Sequence, residues 1–112
     1  MAETFNRTQA ALVTGGTEVY TAPNGSGNTA VVLSILVANV DGTNAATVTG
    51  KINDSSGATL TGAMFAKTIS VPADASLELI ANKLVLKAGE RISLAASLDG
   101  DLEATISVLE IT

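Results

Sequence analysis

The 112-residue sequence contains no histidine, no cysteine and no tryptophan. Without histidine and cysteine, the chain lacks the usual general base at neutral pH, the thiol nucleophile and the commonest transition-metal ligands. A serine or threonine nucleophile would need a lysine or a terminal amine to activate it, and no motif marks such a pair. The missing cysteines also exclude a disulfide framework. We therefore expect a protein that is not an enzyme and that uses no cofactor and no small-molecule substrate.

Charged and aromatic residues are scarce, which limits the possible partners. Charged residues make up only 15% of the chain and the net charge is −5, so there is no basic surface to displace the counterions of a nucleic acid. The aromatic residues are Phe5, Tyr20 and Phe65, too few for the stacking platforms of sugar-binding or single-strand-binding modules. Residues 1–16 lack the pattern of a signal peptide, and no apolar run is long enough for a membrane helix. We expect no nucleic-acid partner, no membrane partner and assembly in the cytoplasm.

The sequence is rich in threonine, valine, serine, glycine and alanine, a composition typical of strands joined by tight turns. Turn residues recur at short intervals, which predicts strands near residues 6–13, 17–21, 29–39, 46–53, 63–71, 76–80, 84–86, 90–98 and 102–111. We predict an all-β fold: a single antiparallel β-sandwich of about eight strands, Ig-like or jelly-roll-like. The sandwich spans residues 17–112, and residues 1–16, rich in polar side chains, form an extended N-terminal arm.

Residues 28–42, NTAVVLSILVANVDG, form a strand that is apolar on both of its faces. Strand side chains alternate between faces, and in a two-layer sandwich one face of each strand normally meets water. Strict alternation places Val32, Leu36 and Ala38 together on the second face. A chain with so much apolar surface is expected to bury some of it against copies of itself. The pattern therefore predicts a subunit interface that includes Val32, Leu36 and Ala38.

The last two predicted strands alternate regularly and are separated by Asp99-Gly100-Asp101. Because Asp-Gly favours a hairpin turn, we predict that these strands form a hairpin with one buried side. Asp99, Asp101 and Glu103 carry carboxylates at alternate positions, a spacing that also fits oxygen ligands for calcium. The turn is the simpler interpretation, and calcium binding stays open.

Three segments, EVYTAPNGSGNTAVVLSILVANVDG, AKTISVPADASLELIANKLVLKAGERISLAAS and LEATISVLEIT, resemble small virion structural proteins of tailed bacteriophages, including cyanophages. The similarity covers about residues 17–112. The matching positions are turns and core strands: residues 20–23, 38–39, 71–73, 77–79, 84–86 and 88–90. The resemblance implies a structural component of the virion without a catalytic site. Such components include capsid cement (decoration) proteins, neck proteins and tail proteins.

Within this resemblance, the acidic composition fits the outside of a shell better than its DNA-facing interior. We expect a cement protein, a homotrimer that binds the outer surface of the major capsid protein shell and stabilises it. Phe5, Arg7 and Leu12 are expected to contact the capsid from the N-terminal arm. The alternatives are a neck or tail component, which has a different partner, and a surface adhesin or receptor-binding module, which the scarcity of aromatic residues disfavours.

Overall fold

The computed structural model describes residues 2–56 and 58–112. Over these residues the fold is all-β, as predicted, with nine strands and no helix. The strands are β1 (Glu3–Ala11), β2 (Thr17–Thr21), β3 (Thr29–Asn39), β4 (Ala46–Asn53), β5 (Thr59–Val71), β6 (Ser76–Glu78), β7 (Leu84–Lys87), β8 (Arg91–Ala96) and β9 (Leu102–Ile111). The bounds of β2, β3, β4 and β9 match the predicted ones because glycine, proline and aspartate mark the strand ends, whereas β1 and β5 begin earlier than predicted.

The strands form two antiparallel sheets that pack face to face. The five-stranded sheet has the order β1-β9-β3, with β6 and β7 pairing in turn along the far edge of β3, and the four-stranded sheet has the order β2-β8-β4-β5. The chain passes from one sheet to the other at every connection except β4 to β5 and β6 to β7. With β6 and β7 occupying one strand position, this is the order of a jelly roll. The predicted sandwich is confirmed, in its jelly-roll form.

The last two strands do not form the predicted hairpin. Strand β8 pairs with β2 and β4, whereas β9 pairs with β1 and β3 in the other sheet. Both strands bury one face, as the alternation predicts, and these faces belong to the two opposing sheets. The buried side chains are Ile92, Leu94 and Ala96 of β8 and Leu102, Ala104, Ile106 and Val108 of β9. Two strands show the same alternation of apolar and polar residues whether they pair in one sheet or face each other across the core. The alternation therefore does not identify which strand pairs with which.

A β-bulge in β3 explains why both faces of this strand contain apolar residues. Between Val32 and Ser34 the pairing with β9 shifts by one residue, so Leu33 is an extra residue in the strand. The extra residue changes which positions point inward from that point on. The buried side chains are Ala30 and Val32 before the bulge and Ile35, Val37 and Asn39 after it.

The prediction that Val32, Leu36 and Ala38 share one face is therefore wrong. Val32 is fully buried in the core of its own chain. Leu36 and Ala38 lie beyond the bulge, on the face that points away from the core. Strict alternation fails here because it assumes that a strand has no inserted residue.

The N-terminal segment belongs to the sheet and is not a separate arm. Strand β1 pairs with β9 along its whole length, from Glu3 opposite Ile111 to Ala11 opposite Glu103. Leu12, which follows, is fully buried, and its amide donates to the carbonyl of Leu102. An edge strand with one solvent-exposed face is as rich in polar residues as a free arm. For this reason the composition of residues 1–16 predicts an arm and not a strand.

Candidate interaction surfaces

A hydrogen bond from a buried side chain links the two sheets. Tyr20 of β2 is buried, and its hydroxyl donates a hydrogen bond to Oε2 of Glu110 on β9. Burial raises the pKa of Tyr20 above its ordinary value, and the hydrogen bond and charge of Glu110 raise it further. The phenol therefore stays protonated as a donor and links the two sheets. This arrangement is structural and does not supply a base or a nucleophile.

Asp99, one of the three carboxylates considered for calcium, holds a backbone turn. Oδ1 of Asp99 accepts the amide of Thr14 at 2.7 Å, which ties the loop between β8 and β9 to the segment after β1. Nearby, Oδ1 of Asp41 accepts the amide of Thr43 at 2.8 Å. That hydrogen bond is the largest cause of a pKa of Asp41 below its ordinary value. In the described part of the chain, no group of three acidic, histidine or cysteine side chains is placed to hold a metal ion.

The outer face of the four-stranded sheet, which points away from the core, carries a salt bridge within the chain. Arg91 of β8 forms a salt bridge with Glu18 of β2, with Nη1 3.0 Å from Oε1. Nη2 of Arg91 also donates to the carbonyl of Ser55 at 2.8 Å. The charge of Arg91 is therefore balanced within the chain.

The outer face of the five-stranded sheet is different, because apolar side chains form a continuous row across it. Phe5 pairs with Leu109, Leu109 with Val31, and Val31 with Val85, so the row crosses β1, β9, β3 and β7 in register. Phe5 is 76% exposed and Val85 is 59% exposed. We call these four residues the apolar row.

A surface depression borders the apolar row at its β1 end. It has a volume of about 420 Å³, and its lining includes Phe5, Arg7, Leu33 and Ser107. Leu33 is the extra residue of the bulge, so the bulge adds another apolar side chain to this face. The outer face thus combines an exposed apolar strip with a recess beside it.

The predicted contact residues are divided between this face and the core. Phe5 and Arg7 are exposed on β1, and Leu36 and Ala38 lie on the same outer face, on β3. Leu12, like Val32, is in the core, so the prediction that it contacts the capsid is wrong. Val31, Val85 and Leu109 are exposed or half-buried on this face and are not among the predicted contact residues. The signal for Leu109 was present, because it follows the buried Val108 and alternation then places it outside.

No protein-family model matches the chain, and no curated protein matches it in sequence. Solved structures with similar folds include a chain of the acid-stable capsid of Helicobacter pylori bacteriophage KHP30. That chain is 9% identical with a TM-score of 0.54, and the match covers 100% of this chain and 89% of that one. A chain of the disulfide-linked endospore appendages (pili) of Bacillus is 12% identical with a TM-score of 0.56, covering 99% and 87%.

A third similar structure is VP2 of infectious bursal disease virus, from a subviral particle. It is 11% identical with a TM-score of 0.53, and the match covers 97% of this chain but only 33% of the VP2 chain. At these identities the likenesses establish the shared fold. In VP2 the fold is one part of a larger chain, whereas in the phage capsid chain and the pilus chain it makes up most of the protein. Within the described residues, no helix has the length and apolar character needed to cross a membrane.

Proposed function

We propose that the protein is a non-enzymatic structural component of a bacteriophage virion, and specifically a capsid cement protein that binds the outer surface of the major capsid protein shell. The observation that carries this proposal is the match to the phage capsid chain, which covers all of this chain and 89% of the other. The matched protein is therefore about as small as this one, which fits an accessory subunit better than a large shell-forming subunit. The sequence resemblance to small phage virion proteins supports the same role.

The proposed mechanism is binding without chemistry. Apolar area removed from water contributes about 25 cal/mol per Å² before the costs of association are subtracted. The outer face of the five-stranded sheet offers an exposed apolar side chain for this purpose in Leu36, which lies outside the apolar row. On a symmetric shell the same contact repeats many times, so connected weak contacts gain strength through avidity. A net charge of −5 favours the exterior over the DNA-facing side.

The test is the copy number and position of the protein on the particle. Quantitative mass spectrometry and cryo-EM of the virion should find it on the outer shell, in a number comparable with that of the major capsid protein. A small fraction of that number, confined to one vertex, would instead indicate the alternative role in a neck or tail. Particles that lack the protein altogether would refute a virion role.

The proposed capsid contact can be tested through Arg7, which is exposed on β1. We expect Arg7→Glu to lower the occupancy of purified protein on empty shells. Lys67→Glu is the matched control, because it makes the same change of charge at an exposed position of β5 in the other sheet. The homotrimer expected from the sequence remains part of the proposal, and the molar mass of the purified protein tests it.

A filament subunit is the second candidate, because the similar Bacillus chain belongs to pili. Those pili are disulfide-linked, whereas this chain has no cysteine, so that covalent link is impossible here. Electron microscopy of the concentrated purified protein distinguishes this candidate, since a filament subunit should polymerise without any shell.

A further inference from the structure

The apolar row is a second apolar layer of the five-stranded sheet, separate from the core. In β9, Val108 is buried inside while the adjacent Leu109 points outward, and in β3, Val32 and Val31 show the same arrangement. The core is therefore filled by other side chains, and the residues of the apolar row are not core residues that failed to fit inside. An exposed apolar strip that crosses a whole sheet is the kind of patch that marks an interaction site.

The neighbouring row of side chains on the same face carries opposite charges at its two ends. Glu3 pairs with Ile111, Ile111 with Thr29, and Thr29 with Lys87. These four residues lie two positions along each strand from the apolar row and therefore on the same face. The acidic end is on β1, beside Phe5, and the basic end is on β7, beside Val85.

We propose that the outer face of the five-stranded sheet, which carries the apolar row, binds the same face of a second copy of the chain in a two-fold symmetric pair. The two-fold axis runs parallel to the strands, midway between β9 and β3. Each β1 then lies over β7 of the second copy, and each β9 lies over β3. The large Phe5 packs against the smaller Val85 of the second copy, and Leu109 packs against its Val31.

The charges identify the occupant as a second copy. The same rotation places Glu3 beside Lys87 of the second copy and repeats that pair on the other side of the axis. An unrelated partner would need an apolar strip with a basic group at one end and an acidic group at the other. This chain presents that arrangement on itself, which is the self-complementarity that a two-fold interface requires. Aligned packing of the two sheets is also a common geometry for β structures.

This pairing goes beyond the virion role and does not depend on it. A two-fold contact cannot close a ring of three, so a trimer would need a second contact elsewhere on the chain. The pairing also assigns Phe5 to self-association, and Arg7 remains at the border of the face as the residue that tests the shell contact. Self-association is measured on the isolated protein, so its failure is distinguishable from failure of the virion role.

The first test changes the centre of the row. Sedimentation velocity of the purified chain over a concentration series should show a reversible dimer, or a hexamer if trimers also form. Leu109→Glu places an unpaired charge in the interface and should weaken association by about a hundredfold. Leu98→Glu is the matched control, since Leu98 is also exposed but lies outside this face. Thermal melting of both variants checks that they are folded.

The second test exchanges the charges. Glu3→Lys and Lys87→Glu should each weaken the pair by about tenfold, because each variant faces two like-charge contacts. The double variant, which keeps the net charge, should recover association. An equimolar mixture of the two single variants should form a mixed dimer, because every pair is again opposite in sign.

Three outcomes would overturn the proposal. The first is a wild-type chain that stays monomeric at every concentration. The second is association that Leu109→Glu leaves unchanged. The third is a loss of association in the single charge variants that neither the double variant nor the mixture restores, since the contact would then not be the stated two-fold pair.

Discussion

Asn39 is a buried polar side chain whose hydrogen bonds join three parts of the fold. Its Nδ2 donates to the carbonyls of Val71 at 2.9 Å and Asn44 at 3.0 Å. Its Oδ1 accepts the amide of Asp41 at 2.9 Å. These hydrogen bonds fix the end of β3 to the end of β5 and to the loop between β3 and β4. This contact gives a physical reason for an asparagine at the end of an otherwise apolar strand.

Replacing this side chain should be costly. Asn39→Ala leaves two carbonyls and one amide without their partner in a site that is 4% exposed, and we expect the free energy of unfolding to fall by about 2–3 kcal/mol. Denaturant unfolding measures it. Asn82→Ala, at an exposed position, is the control and should change stability little. Equal effects of the two substitutions would show that the hydrogen bonds of Asn39 contribute nothing.

Gly50 lies in the core of the four-stranded sheet because a side chain has no room there. A Cβ on Gly50 would lie 2.6 Å from Cζ of Phe65 and 3.0 Å from Cδ2 of Leu94. Gly50→Ala should therefore destabilise the fold by about 1–3 kcal/mol through overpacking. Gly15→Ala is the matched control, since nothing lies within 4 Å of its added Cβ. If both variants melt at the same temperature, the Phe65 ring is free to move aside and the explanation fails.

At the scale of elements, the sequence predicts strands well and their neighbours poorly. Turn residues mark the ends of β3, β4 and β9, so their predicted and observed bounds agree. The predicted β8–β9 hairpin is wrong because Asp-Gly indicates a turn and a pattern of period two indicates burial, and neither identifies the neighbouring strand. Which strand lies beside another depends on contacts between residues far apart in sequence. No local pattern contains this information.

The bulge in β3 shows a second limit of local patterns. Leu33 is apolar, as are most of its neighbours, so an inserted residue cannot be recognised by a break in polarity. The structure reveals it through the shift in pairing with β9. A prediction of faces from one strand fails wherever such an insertion lies between two buried positions.

Deleting single residues of β3 tests this account of the bulge. Removal of Leu33 restores regular alternation, because Val32, Ile35 and Val37 still point inward, and we expect a folded protein that loses about 1–3 kcal/mol. Removal of Leu36, three residues later, would turn Val37 and Asn39 outward and should prevent folding. Circular dichroism and thermal melting distinguish the two deletions. If both variants fold equally well, Leu33 is not the residue that sets the faces.

For the whole molecule, the sequence predicted a surplus of apolar side chains but not their location. The surplus follows from a charged content of 15% in a short chain. Its location depends on the register between β1, β9, β3 and β7, which aligns Phe5, Leu109, Val31 and Val85. These residues come from distant parts of the sequence. The predicted interface residue Val32 is one position from the row, on the opposite face of the sheet.

A two-fold pair has a consequence for the stability of the whole molecule. A partner that binds only the folded chain stabilises it by mass action, so the melting temperature of the wild type should rise with protein concentration. Over the same concentration range, Leu109→Glu should melt close to the dilute limit of the wild type, because its association is about a hundredfold weaker and Leu109 lies outside the core. Calorimetry with a check of reversibility measures both. A wild-type melting temperature that stays constant would show that the apolar row remains unpartnered.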